Sequence, residues 1–85
     1  MRFIQSFTYR DVEGDKSIRT VMRLDLVGNL LHAIDLSELT EEDTKEVIRA
    51  VRENDETPGE FYDNFVKEFN SRTKSYRTFR TDRIS

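Results

Sequence analysis

Apolar and polar positions alternate from the start of the chain. Phe3, Phe7 and Tyr9 fall on one side of an extended segment, with Gln5 among them; Ile4, Ser6 and Thr8 fall on the other. Aromatic and β-branched residues at period two suit a pleated, half-buried surface, so residues 2–10 are expected to form a strand. Residues 11–17 are polar, and Gly14 can supply the positive φ of a turn. Alternation resumes over residues 18–27. There Ile18, Met22, Leu24 and Leu26 share a side with Thr20, and Arg19, Arg23 and Asp25 lie opposite with Val21 and Val27. Gly28-Asn29 between two apolar runs signals a two-residue hairpin. A third strand follows over residues 30–36, with Leu30, His32, Ile34 and Leu36 on one side and Leu31, Ala33 and Asp35 on the other. The pattern predicts an antiparallel meander of three strands.

The period then changes from 2 to 3.6. Thr40 and Asp43 resemble a capping box, and Glu41, Glu42 and Asp43 occupy a first turn where the helix dipole favours negative charge. Val47, Ile48 and Val51 make a narrow apolar stripe, which predicts a helix over residues 41–53. Thr57-Pro58-Gly59-Glu60 is a stronger start signal, with Thr as N-cap, Pro in the first turn and Glu three residues after the cap. Phe61, Tyr62, Phe65, Val66 and Phe69 form the broad apolar face of a second helix that should end near Asn70 and Ser71. Residues 72–85 read three ways. Tyr76, Thr78, Phe79, Thr81 and Ile84 favour a strand; Arg77, Arg80 and Arg83 recur every three residues, which would put them on one side of a continued helix; and a disordered tail is the third option.

These elements predict an α+β fold of order β-β-β-α-α, with both helices on one face of the meander and a short C-terminal strand as an option. Residues 1–71 form the expected domain and residues 72–85 a basic C-terminal segment. The expected core is Phe3, Phe7, Ile18, Met22, Leu24, Leu26, Ile34, Val47, Ile48, Val51, Phe61, Phe65 and Phe69. Val21, Val27, Leu31 and Ala33 oppose that set. The apolar face they leave favours self-association as a homodimer, or docking of the C-terminal segment.

Composition narrows the function classes. The chain has 85 residues, and Leu, Ile, Val and Phe are 23 of them, above the ~20% level that marks disorder. With no Cys and one His, a disulfide scaffold, a Cys zinc site and a thiol nucleophile are excluded. No apolar run approaches the ~20 residues that span a bilayer, so no membrane role and a cytoplasmic location are expected, the host's cytoplasm if a phage encodes the chain. No nucleophile triad, glycine-rich phosphate loop or metal motif is present, and His32 reads as a packed side chain, so no catalytic residue, metal or cofactor is expected.

Charge adds the main clue. The net value is only -3. Residues 1–34 carry five basic and four acidic groups, residues 35–63 three basic and eleven acidic, and residues 64–85 six basic and two acidic. Helix-dipole compensation and folding back of the basic end onto the acids account for much of this distribution. A second reading gives the acidic stretch a partner: carboxylates on a small domain can occupy a Lys/Arg-lined surface in the manner of nucleic-acid phosphates. In size, acidity and lack of catalytic groups the chain resembles small acidic inhibitors carried by phages, including anti-CRISPR proteins, a resemblance of class rather than of motif. The expected function is therefore a small non-enzymatic regulator or inhibitor that meets a basic protein surface, such as that of a nucleic-acid-binding protein or complex. Its partner-binding residues would be Glu53, Asp55, Glu56, Glu60 and Asp63. The alternative is a nucleic-acid-binding module in which Arg72, Lys74, Arg77, Arg80 and Arg83 grip phosphates while Tyr76 and Phe79 stack bases. A structural subunit of a larger assembly is a third option.

Overall fold

The computed structural model describes residues 4–53 and 57–85. Three strands come first: β1 (Ile4–Arg10), β2 (Lys16–Val27) and β3 (Leu30–Asp35). Helix α1 (Glu41–Arg52) follows. The next rod, α2, is α-helical over Pro58–Phe61, π-helical over Tyr62–Val66 and α-helical again over Lys67–Thr73. Strand β4 (Tyr76–Arg80) and a 3-10 turn (Thr81–Arg83) complete the chain. The four strands form one antiparallel sheet in sequence order. The strand option for the C-terminal segment is thus the one that forms, and the segment belongs to the sheet.

Local chemistry explains the joints. The Asp11 carboxylate accepts from the backbone N–H groups of Glu13 and Asp15 at 2.9 and 3.0 Å, which folds the β1–β2 turn around Gly14 at φ +88°. Gly28 opens the β2–β3 hairpin at φ +59°, the positive value that primed hairpin turns require at this place. The Thr40 and Thr57 hydroxyls cap α1 and α2 by accepting from the backbone N–H groups of Asp43 and Glu60. Helix α2 ends at Lys74, in the left-handed region at φ +57°, where its N–H donates to the Asn70 carbonyl. The Asn70 side chain accepts from the Tyr76 N–H at 2.9 Å and so links the end of the helix to the start of β4.

Two apolar clusters lie on opposite faces of the sheet. On one face Met22 and Ile34 pack against Val47 of α1 and against Phe61, Val66 and Phe69 of α2, with Leu24, Ile48, Val51 and Phe65 at the margin. The π turn shapes this cluster, because Phe61 and Val66, five residues apart, are both fully buried. The Phe61, Phe65 and Phe69 rings stack in sequence at centroid separations of 5.4 and 5.2 Å. The second cluster holds Phe7, Val21, Leu31, Ala33 and Phe79, with Tyr9 and Ile84 against it. Its aromatic rings meet edge-on, Phe79 lying 5.2 Å from Phe7 and 5.0 Å from Tyr9.

The expected single core is corrected at three places. Phe7 pairs opposite Arg19, so it shares a face with Val21 and belongs to the second cluster. Leu26 is 45% exposed. The register skips between Arg23 and Asp25, so Leu24 is an extra residue and Leu26 comes opposite Leu31, away from the helices. Ile18 is 77% exposed because the helices pack over β2, β3 and β4 and leave the β1–β2 corner open. Phe3 lies outside the described residues. The second face does not wait for another molecule. The C-terminal segment docks there through Phe79 and Ile84, with a bridge between Tyr9 and Ile84 and paired backbone hydrogen bonds between Thr8 and Ser85. Asp35, buried at the end of β3, accepts from Arg19 at 2.9 Å and from the Ser37 N–H, which satisfies its charge.

Candidate functional site

Among the described acids of residues 35–63, Asp35, Glu41, Asp43 and Glu46 are ion-paired within the fold, whereas Glu38, Glu42, Glu53, Glu60 and Asp63 are exposed without an ion pair. Glu41 pairs with Lys45 one turn on in α1. Arg72, near the end of α2, reaches across to the start of α1 and donates to Asp43 at 2.8 Å and Glu46 at 2.9 Å. The guanidinium also sits 5.3 Å from the centre of the Phe69 ring. The hydrogen bond from Arg72 holds the Asp43 carboxyl below its usual 3.8 against partial desolvation, and the Thr40 hydrogen bond and the Arg72 charge add to it. Arg72 is raised in turn, chiefly by its hydrogen bond to Asp43.

Of the unpaired acids, Glu53 is the exposed C-cap of α1, and Glu60 and Asp63 are exposed on the first turns of α2. Among the described residues none of the three has an ion-pair partner. Glu60 does have a local role, since its carboxylate accepts from the Thr57 hydroxyl at 2.9 Å. Asp55 and Glu56 lie outside the described residues. The structure does not gather the others around one hollow. Glu53 borders a hollow on α1 with Lys45, Ile48, Arg49 and Arg52, whereas Asp63 borders a different one.

The basic and aromatic residues of the C-terminal segment are also dispersed. Arg72 is held by Asp43 and Glu46, and Lys74 terminates α2. Arg77 donates to the carbonyls of Lys74 and Tyr76, and Arg80 pairs with Asp82 at 2.8 Å. Arg83 is half-buried in the 3-10 turn. Phe79 is only 4% exposed, wedged against Phe7 and Tyr9, and offers no open ring face. Strand alternation places Tyr76 and Phe79 on opposite faces of the sheet.

The hollow beside Asp63 combines apolar and polar lining groups. It measures about 310 Å³ and lies between the β2–β3 end of the sheet, β4 and the start of α2. Leu24 and Val27 give it an apolar wall, and Asp25, His32, Tyr62, Asp63 and Tyr76 give it polar groups. The Tyr76 hydroxyl is 2.6 Å from His32 Nδ1, and the Tyr62 ring meets the Tyr76 ring edge-on at 5.5 Å. Burial, with the nearby Tyr62 and Asp25, raises the Tyr76 phenol above its usual 10 against a hydrogen bond with Thr78, so the hydroxyl keeps its proton at neutral pH. His32 is half-buried, and its hydrogen bond with Tyr76 fixes the tyrosine beside the hollow.

Asp25, Tyr62 and Tyr76 were not legible together as a site. Uninterrupted alternation puts Asp25 beside Arg23, on the face away from the helices. The bulge at Leu24 brings it opposite His32 instead. Tyr62 lies at the head of the π turn and faces out, although periodicity groups it with the buried phenylalanines. Among the described residues no cluster of three or more His, Cys, Asp or Glu side chains could hold a metal ion, and no helix is long and apolar enough to cross a membrane. Comparison with family models, curated proteins and solved structures gives no significant match to this chain.

Proposed function

We propose that this chain is a small non-enzymatic binding protein that regulates or inhibits a macromolecular partner by setting its acidic side against a basic surface. The observation that supports this most is the division of the acids. Asp43 and Glu46 share Arg72 and Glu41 pairs with Lys45, whereas Glu38, Glu42, Glu53, Glu60 and Asp63 are exposed without an ion pair among the described residues. Dipole compensation accounts for acids in the first turn of a helix, but Glu53 stands at the negative end of α1, where a carboxylate is disfavoured. Asp63, whose hollow holds no Lys or Arg, is better suited to electrostatic steering of a cationic partner than Glu53, which shares its hollow with Lys45, Arg49 and Arg52.

The test is capture from the native host with the wild-type chain and with a variant carrying Glu53→Lys, Asp55→Lys, Glu56→Lys and Glu60→Lys. Glu53 and Glu60 are exposed at helix ends, Asp55 and Glu56 lie between them in the sequence, and circular dichroism of the variant checks that the helices are kept. Recovery of Lys/Arg-rich partners should fall at least tenfold in the variant and weaken with salt in the wild type. Equal recovery at physiological salt overturns the reading.

A further inference from the structure

We propose that the hollow bordered by Asp25 and Asp63 receives one arginine side chain from the basic surface of the partner. The proposal rests on the acidic-surface reading and adds to it the residue that the surface would anchor.

Size is the first argument. About 310 Å³ is at the bottom of the ~300–1,000 Å³ range of ligand pockets, room for one side chain rather than a large cofactor. Charge is the second. Asp25 and Asp63 enter from opposite walls, one from β2 and one from α2, and no Lys or Arg lines the space between them. Among the described residues neither has an ion pair, and one Asp25 oxygen accepts the N–H of Leu26. Shape and polarity are the third. Tyr62 is 38% exposed and lines the hollow, and Tyr76, held by His32, backs it. A guanidinium is planar and weakly hydrated, stacks on aromatic faces and pairs with carboxylates through a fork of N–H donors. Its aliphatic stem would lie along Leu24. Lysine, a compact and strongly hydrated point charge, uses the rings less well.

Two departures from regular structure build this arrangement. The bulge at Leu24 delivers Asp25 to the helix side of the sheet. The π turn begins at Tyr62 and leaves Tyr62 and Asp63 outward while Phe61 and Val66 are buried. Bulges and π turns are concentrated at functional sites because each re-aims a side chain at some cost to regular hydrogen bonding.

The experiment titrates the isotope-labelled chain with three capped pentapeptides, Gly-Gly-X-Gly-Gly, where X is arginine, lysine or citrulline. The arginine peptide should shift the side-chain NMR signals of Tyr62, Tyr76 and His32 and saturate in the millimolar range, roughly what one anchored side chain supplies. The lysine peptide should bind at least threefold more weakly, and the neutral citrulline peptide should not saturate. Asp25→Asn and Tyr62→Leu should each weaken the arginine peptide fivefold or more, while Tyr62→Phe, which keeps the ring, should stay within twofold. Equal response to citrulline, or shifts confined to Glu53 and Glu60, overturns the proposal. The two readings fail separately. Loss of partner capture on charge reversal with no arginine binding removes the hollow and keeps the acidic surface. Saturable arginine binding with capture that ignores charge reversal does the opposite.

Discussion

At the scale of single residues, Arg72 organises more of the charge than any other side chain described. It lies within the basic end of the sequence, yet its guanidinium serves two acids of α1 and covers Phe69. The Asp43 carboxyl is held low in the folded chain, so its contribution to stability is present above the ordinary value of 3.8 and is lost as pH falls through the lowered value. An NMR titration should find Asp43 ionising below 3.8 in the wild type. In Arg72→Gln the midpoint should rise toward that value, and acid unfolding should begin at higher pH. An unchanged Asp43 midpoint in the variant would show that another group holds it. The charge count along the chain made such a contact conceivable but not specific, because six basic groups of residues 64–85 were equally available to the acids. Reach and packing chose Arg72.

Elements follow the sequence where a local signal is complete and depart from it where one residue is inserted. Thr40 and Thr57 mark both helix starts, and Gly28 marks the hairpin. The two glycines at Gly28 and Gly59 respond to different forces. Neither would bring a new Cβ within 4 Å of another group. Gly28→Ala should nonetheless cost about 1–2 kcal/mol, because φ +59° is strained for any residue with a Cβ. Gly59→Ala, at an ordinary helical position in α2, should stabilise by roughly 0.4–1 kcal/mol by restricting the unfolded chain. Urea melts of the two variants should move in opposite directions; movement in the same direction would show that backbone conformation does not decide these sites. The β2 bulge and the π turn had no comparable signal. Alternation runs unbroken from Met22 to Leu26, straight across the bulge, and i, i+4 spacing of Phe61, Phe65 and Phe69 fits a regular helix. Both irregularities are imposed by tertiary packing, which is why Leu26 was expected in the core and Asp25 away from the hollow.

For the whole molecule, the consequence of two faces is two cores sharing one sheet. The expected arrangement, with a single core under the helices, accounts for Met22, Ile34, Val47, Phe61 and Phe69. It leaves out Val21, Leu31, Ala33 and Phe79 because the closing contribution comes from residues 76–84, whose strand character was one option among several. The sheet should insulate the cores from each other. Phe61→Ala should cost about 3–5 kcal/mol, and Phe79→Ala a similar amount. The double variant should be additive to within ~0.5 kcal/mol, since the rings belong to different clusters. Phe7→Ala with Phe79→Ala, whose rings meet at 5.2 Å, should deviate from additivity by more than that. Strong coupling across the sheet in the first pair would mean that the two cores rearrange as one.

The bridge between Tyr9 and Ile84 has a mechanical consequence. Residues 84 and 85 run antiparallel to β1, so Ile4 and Ser85 face the same end of the pair: Ile4 opens the strand, and Ser85 lies opposite Thr8 on the way back toward it. A force applied between Ile4 and Ser85 therefore loads the Thr8–Ser85 hydrogen bonds one after another, as in opening a zip, rather than together in shear. The molecule should peel from its C-terminal segment at low tension. The helix-covered core, built on β2 and β3, would be the last part to yield.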